Sequence, residues 1–504
     1  MKHKLRAIIV VVSLLMPLTS FATTASGTCG ENLNWEYDSE TQKLTITGYG
    51  PMDDYDYSTY GYFQPWGEYS FDIKYLSLPN GLTHIGTWAF TNLYSLVSVS
   101  VPGSVKDIGG SAFSNCTDLS SVTLHEGLEK IGPTVFAYCN NLKFTNLPQS
   151  VDSIGEHVWM YCNELAQPLY NSKFFARMPA WQEEIYSIPE GITTIVNHAF
   201  YECKTYGVTI PSSVKVIEPS AFERCYNLNE IIIPEGIDTI QEWTFTNCSS
   251  ATKLVIPSTV VYIDEMAFDG CSSLTSVKLP ENLTFIGQQA FCRCSKLTSI
   301  SIPEGVTSIG RNAFAMCSNL KSVKIPSTVS LIETMTFQEC TSLKSIYTGD
   351  NVTHVGNSAF KGCTALENVS FSSKLQTLDY YAFYGCENLK SVELPMSVSS
   401  IGQFTFYKCK GLTSMTLHMT EMVSIWDNTV TDVNRAIPVY VPAHLVNTYK
   451  EHAIWGQFDI QPITATDIQS TTESASVSQK ILKDGQILIQ SGNNIYTPSG
   501  QTIQ

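Results

Sequence analysis

The sequence predicts a repeat solenoid of α/β type, in which short strands alternate with return segments along one coiled chain. Three observations carry this. A phenylalanine recurs every 23 residues through Phe222, Phe245, Phe268, Phe291, Phe314, Phe337, Phe360, Phe383 and Phe406, and Phe90, Phe113 and Phe136 with Trp159 keep the same period upstream. A cysteine follows three residues after most of these rings. Across 14 units an isoleucine stands five residues before the ring in 12, with Val355 and Leu378 as the exceptions. Each unit can bury its apolar edge only against its neighbours, so such regularity means one supersecondary unit stacked many times.

The chain opens with a segment that reads as a secretory signal, residues 1–22. Lys2, Lys4 and Arg6 form a basic start, Ala7 to Leu18 an apolar stretch, and Ser20-Phe21-Ala22 a small-residue cleavage site. A membrane anchor is the alternative, but a span needs about 20 apolar residues, and this run is interrupted by Ser13 and Pro17. A lipoprotein signal ending at Cys29 is a further alternative, which Ser26 and Thr28 fit poorly. Removal of the segment takes the formal charge from -16 to -16 - 3 = -19. An acidic chain without a basic stripe argues against a general nucleic-acid role, and 43% hydrophobic against 15% charged residues suits a packed body.

Residues 23–74 are expected to cap the first coil, and 75–415 to form the solenoid. In the reference unit Ile286-Gly287 precedes Ala290-Phe291, Cys294 and Leu297 follow, and Ser299-Ile300-Ser301-Ile302-Pro303 closes the turn. The alternation in this last stretch is that of a half-buried strand; the proline, which cannot donate to a ladder, ends it. Between Trp159 and Phe200 the gap is 41 residues, 23 + 18, so an insertion is expected at about 169–186, carrying Tyr170, Phe174, Phe175 and Trp181. Residues 416–464 are expected to cap the last coil. The Ser/Thr-rich stretch 465–479 reads as a linker, and 480–504 as a strand-turn-strand hairpin.

Thirteen of the 15 cysteines share one position after the ring: Cys116, Cys139, Cys162, Cys203, Cys225, Cys248, Cys271, Cys294, Cys317, Cys340, Cys363, Cys386 and Cys409. A metal site needs clustered ligands of mixed spacing, and a nucleophile needs one special cysteine beside a base. A residue repeated in every coil is neither. A disulfide framework is conceivable in an exported protein, but an odd number of equivalent positions in one ladder favours buried free thiols packing as small hydrophobes. Cys292 stands beside that ladder and is expected to point elsewhere.

The pattern Ile-Gly-x-x-Ala-Phe-x-x-Cys-x-x-Leu-x-Ser, seen at Ile286 to Ser299 and closed by Ile300-Ser301-Ile302-Pro303, resembles BspA-like leucine-rich repeats, whose units span about 20–29 residues. The resemblance extends to Gly27-Thr28-Cys29-Gly30, Trp35, Leu44-Thr45-Ile46 and Gly48-Tyr49-Gly50-Pro51-Met52 at the N-terminal cap, and to Val439-Tyr440-Val441-Pro442 through Trp455 at the other end. It implies a secreted or cell-surface protein of a Gram-negative bacterium, engaged in adhesion to host matrix or other bacterial surface proteins. The closing segment Lys480 to Gln501 is similar to sorting signals of the type IX secretion route, which implies release or attachment at the outer surface.

Motifs for catalysis are missing from the sequence: neither a paired-histidine zinc helix, a phosphate-binding glycine loop nor a nucleophile elbow is present. The chain therefore reads as non-enzymatic, with no cofactor and no metal. Asp53-Asp54-Tyr55-Asp56-Tyr57 lacks calcium-loop spacing and reads as an acidic cap loop. His84 and His354 precede a bend, and His125 and His418 replace the strand-ending proline; all four read as surface or turn residues. Binding is expected on the outward strand sites. Serine fills the first in eight units (Ser98, Ser121, Ser276, Ser299, Ser322, Ser345, Ser391 and Ser414), whereas the second varies: Lys278, Ser301, Lys324, Tyr347, Glu393. The candidate ligand contacts are Lys278, Lys324, Tyr347 and Glu393 on the strands, with Tyr170 and Trp181 in the insertion as aromatic anchors. A protein partner is expected. A glycan stacked on insertion aromatics or on the cap loop Tyr55 to Trp66 is the alternative.

Overall fold

The computed structural model describes residues 24–56 and 64–464, and the strand backbone between 479 and 503. Residues 1–22, expected as a secretory signal, most of 465–479, expected as a linker, and residues 57–63 of the cap loop lie outside the described residues. The chain forms two compact units that divide between Pro179 and Ala180; each is a run of coils of about 23 residues.

The first unit begins with three antiparallel strands, Thr24–Gly30, Leu33–Asp38 and Lys43–Pro51. Their alternating apolar residues Leu33, Trp35, Tyr37, Leu44 and Ile46 are buried. The third strand then pairs in parallel with both Tyr75–Ser77 and Gly81–Ile85, which turns an antiparallel cap into the parallel ladder of the coils. From there Ser98–Val101 pairs with Ser121–Leu124 in register, and Phe144 bridges to Ser121.

The ladder's opposite side starts with three carbonyls that have no preceding coil to bond. Each finds a donor in the cap. Thr87 O accepts the Tyr55 N–H at 3.0 Å, Ala89 O the Trp66 indole N–H at 2.9 Å, and Thr91 O the Gln64 side-chain amide at 3.0 Å. Trp66 also lies on Phe90 (centroids 5.4 Å apart, planes at 18°) and so extends the ring stack by one place. Phe113, Phe136 and Trp159 continue it.

The second unit repeats this plan from Phe200 to Phe406, ring upon ring at 4.6–5.9 Å. Its last N–H donors are also met: those of Phe406 and Lys408 bond the carbonyls of Thr429 and Thr431 in the closing cap. That cap adds the strands Pro438–Val441 and Asp459–Pro462 in parallel, with buried Tyr449 and Trp455. After the linker the backbone forms a four-stranded antiparallel sheet, Gln479–Lys483, Gln486–Ser491, Asn494–Tyr496 and Thr502–Ile503, where the sequence suggested only a hairpin.

The return half of each coil is built of turns. The described residues hold one α-helix, Val446–Glu451, and it belongs to the cap. The reason lies in where the N–H groups go. In a helix they bond four residues back along the same chain; here those of Gln289, Phe291 and Arg293 donate to Arg311, Ala313 and Ala315 of the next coil, each at 2.8 Å. That geometry needs left-handed backbone on both sides of the ring, at Gln289 (φ 54°) and Arg293 (φ 59°), and the same pair recurs in the other coils. Glycine takes the second position only at Gly270, Gly362 and Gly385, so most coils hold an ordinary side chain in a conformation that costs roughly 1–2 kcal/mol.

All 15 cysteines are buried and free. Their position does more than fill space. In 12 of the 13 ladder positions the thiol donates to the carbonyl of the preceding coil's aromatic residue at 3.0–3.4 Å. Cys203 instead reaches Gln182 O at 3.7 Å. Ten of these 12 carbonyls, all but those of Phe90 and Phe113, also accept an N–H three residues on, as Phe136 does from Cys139, so there the thiol satisfies a second lone pair that an alanine would leave unmet. Burial pushes the thiols of Cys340 and Cys409 up to about 12.

Candidate functional site

A regular array of outward side chains stands on a five-stranded parallel sheet in the second unit: Ser276–Lys278, Ser299–Ser301, Ser322–Lys324, Ser345–Tyr347 and Asn368–Ser370. Register is strict. Ser276, Ser299, Ser322, Ser345 and Asn368 form one outward row, and Lys278, Ser301, Lys324, Tyr347 and Ser370 the other. Between them Val277, Ile300, Val323 and Ile346 point inward and are buried. Alternation of period two fixes this: a slip of one residue would expose every apolar side chain.

Three of the four strand candidates are held by neighbours. Lys324 Nζ sits 2.8 Å from Glu304 Oε1, and Glu304 also accepts the Ser327 N–H at 2.9 Å and its hydroxyl at 3.0 Å. These donors, Lys324 foremost, pull the Glu304 carboxyl down to about 2. The Tyr347 hydroxyl donates to the Asp350 carboxylate, and that bond pushes its phenol up to about 12. Glu393 meets His418 Nε2 at 2.8 Å. Lys278 is exposed and has no carboxylate partner among the described residues.

Three open depressions follow the proline edge of these strands. One of about 510 Å³ is lined by Ser276 to Leu279, Ser299 to Glu304 and Lys324. A second, of about 630 Å³, lies between Ile233, Glu235, Leu254 to Ser258 and Lys278 to Asn282. A third, of about 310 Å³, lies beside Phe371, Glu393 and His418. All are broad and open, suited to part of a macromolecule laid across them.

The insertion candidates fall in different units. Tyr170 lies in a short hairpin, Leu169–Tyr170 against Phe174–Arg177, whose tip is closed by Asn171 Oδ1 accepting the N–H groups of Lys173 and Phe174. Phe174, Phe175 and Arg177 are buried, so this half is packed, while Tyr170 is 43% exposed and stacked on Phe175. Trp181 is 53% exposed. Trp66, expected as a stacking platform for a sugar, is wholly buried beneath the cap, because its ring and its N–H both complete the first coil.

Histidines serve as stitches between coils. His84 bonds Asp107 and lies 3.4 Å from Asp54, His354 lies 2.8 Å from Asp379, and His125 lies 3.1 Å from Ser100. Asp54 of the acidic cap loop accepts the Thr87 N–H at 2.6 Å, which lowers its carboxyl below the usual range. Among the described residues no cluster of three or more His, Cys, Asp or Glu could hold a metal ion. Cys292 is buried as the ladder cysteines are, with Asp269 and Arg293 beside it.

Sequence reasoning passed over Ile232 and Val255. They occupy the second outward site, in register with one another, and are 46% and 40% exposed. The signal was there: Ile231-Ile232-Ile233 breaks the period-two alternation. Lys321 and Lys344, exposed at the start of successive strands, were also missed.

Six copies of one family model, the BspA type leucine rich repeat region, match residues 68–176, 171–264, 244–367 and 353–476. The chain belongs to this family. No curated protein matches. Among solved structures, a leucine-rich repeat protein from Bacteroides ovatus is similar at 21% identity and a TM-score of 0.52, covering 86% of this chain and 99% of that one. A leucine rich cell surface protein from Faecalibacterium prausnitzii is 24% identical with a TM-score of 0.43, covering 81% of this chain and 98% of that one. A leucine-rich repeat protein from Eubacterium ventriosum is 20% identical with a TM-score of 0.44, covering 80% and 97%. The BspA-type coils thus account for the strand ladder, the ring stack and the thiols together. Among the described residues no helix is long and apolar enough to cross a membrane.

Proposed function

We propose that this BspA-type protein is exported, sits at the outer surface of a Gram-negative cell and acts without catalysis. It binds a protein of a host matrix or of another bacterium through the strand face of its second unit. The observation that carries this reading is the pair of outward rows: rigidly registered backbone, small hydroxyls at four of five positions in one row, and Lys278, Lys324, Tyr347 and, further along, Glu393 varying in the other. A scaffold that fixes the frame and varies one row suits recognition rather than chemistry. The open depressions support the same reading, since none gathers convergent polar groups in an enclosed pocket.

The deciding experiment is capture of matrix proteins and of bacterial surface proteins beside a glycan array, with Lys278→Ala, Lys324→Ala, Tyr347→Ala and Glu393→Ala compared with the parent chain. Protein capture that falls in these variants supports the reading; capture that ignores all four overturns it. A glycan partner would instead depend on Tyr170 and Trp181, the exposed aromatics of the insertion. We assign residues 480–504 the role of a sorting signal for the outer surface. Localisation with and without that segment tests this, and unchanged surface display of the shortened chain would rule it out.

A further inference from the structure

We propose that the strand face between Glu230–Ile232 and Ser345–Tyr347 takes an amphipathic acidic segment of a partner protein, with its aliphatic side chains on Ile232 and Val255 and its carboxylates on Lys278, Lys321 and Lys344. The proposal rests on the reading of this face as the binding surface and adds the chemistry of what binds.

Charge is the first argument. The chain carries 46 acidic against 30 basic residues, and two lysines of this face are neutralised by a carboxylate of a neighbouring coil. Lys253 pairs with Glu230 at 3.1 Å, and Lys324 with Glu304 at 2.8 Å. Lys278, Lys321 and Lys344 are exposed and have no carboxylate partner among the described residues. They are also close together in the fold. Lys278 shares a row with Ser301 and Lys324, and the Lys344 N–H donates to Lys321 O at 3.2 Å, which sets these two one coil apart. From the Ser276 strand to the Ser345 strand is three steps of about 4.8 Å, roughly 14 Å. Unpaired cations gathered on an acidic protein favour an anionic ligand both in encounter and in specificity.

The second argument distinguishes a protein segment from an anionic glycan. Val255, one coil before Lys278, lines a depression with it and pairs in register with Ile232; the two aliphatic residues are exposed at 40% and 46%. An aliphatic surface is covered favourably only by apolar groups. A sulfated sugar offers none, whereas an acidic peptide with leucine-like residues at one end offers both. The serine row could hydrogen-bond either ligand and does not discriminate. The proline edge sets the placement: Glu235, Glu281 and Glu304 line its depressions, so an acidic segment is repelled there and held over the strands.

The test is fluorescence anisotropy of the full chain at low salt with a labelled Leu-Leu-Glu-Glu-Glu-Glu peptide, a Leu-Leu-Lys-Lys-Lys-Lys control and a heparin oligosaccharide. The acidic peptide is expected to bind, to weaken as salt rises, and to lose about tenfold or more in affinity in the Lys278→Glu, Lys321→Glu, Lys344→Glu triple variant. An Ile232→Ser, Val255→Ser double variant should weaken it independently. The proposal is overturned if the acidic peptide does not bind, if the triple variant binds it unchanged, or if heparin binds and only the lysine changes matter. A partner protein whose capture depends on Lys324 and Tyr347 but survives the triple variant would sink the acidic segment alone; capture indifferent to every strand-face change would sink the binding reading itself.

Discussion

Trp66 closes the N-terminal end of the ring stack in two separable ways, and substitutions can divide them. Its indole N–H bonds Ala89 O at 2.9 Å, and its ring, fully buried, lies on Phe90. Trp66→Phe keeps a ring on the stack but leaves a buried carbonyl unmet, which costs about 1–3 kcal/mol. Trp66→Ala also removes the ring and opens a cavity, for which about 3–5 kcal/mol is usual, so it must cost clearly more than the phenylalanine variant. Coils interact with their nearest neighbours; the loss should therefore be local. Denaturant unfolding gives the total, and amide exchange should quicken at Phe90 and Phe113 while Phe337 and Phe360 keep their protection. If Trp66→Phe cost less than about 0.5 kcal/mol, the capping hydrogen bond would have no energetic role. If Trp66→Ala cost no more than Trp66→Phe, the ring would not be part of the stack.

Other outcomes follow from the interior and the proline edge. All the thiols are buried, and burial raises those of Cys340 and Cys409 to about 12, so iodoacetamide at mild alkaline pH should label none in the folded chain. All 15 should be labelled after denaturation without reductant, and a shortfall would reveal a disulfide. Glu304 has a depressed folded-state pKa of about 2, so its stabilising contribution is present above the unfolded glutamate value and is lost as pH falls through the folded one. The stability gap between the parent and Glu304→Gln should therefore be full near neutrality and close below about pH 4; a gap independent of pH would refute the assignment. Met316 holds φ 60° with its side chain 44% exposed, and the equivalent residue is glycine at Gly270, Gly362 and Gly385. Met316→Gly should raise stability by about 0.5–1 kcal/mol, the left-handed strain relieved less the entropy glycine adds to the unfolded chain. A lower denaturation midpoint would show that the strain is not there.

The solenoid was legible because its determinants are one-dimensional. Phe291 and Cys294 are interior in every coil for the same reason, and a fixed period advertises that reason in the sequence. The return half was not legible as turns. Ala290-Phe291-Cys292 contains nothing that forbids a helix; only the next coil, by accepting the N–H groups of Gln289, Phe291 and Arg293, draws the backbone into left-handed turns. The cap aromatics divide likewise. Trp66 looked like a surface ring beside other tyrosines, and it is interior because a carbonyl 23 residues later needed a donor.

For the strand face of the second unit, the sequence by itself determined which residues point outward, since strand alternation is local and Ser276-Val277-Lys278 states it directly. It also determined that Cys294 and its equivalents lie inside. Only the tertiary structure decided which outward polar groups are tied down: Lys324 is held by Glu304 20 residues upstream, Tyr347 by Asp350, and Glu393 by His418, whereas Lys278, Lys321 and Lys344 have no carboxylate partner among the described residues. The physical reason is that the Lys324 and Glu393 pairs depend on neighbours brought together by stacking, adjacent through space but 20 and 25 residues away along the chain.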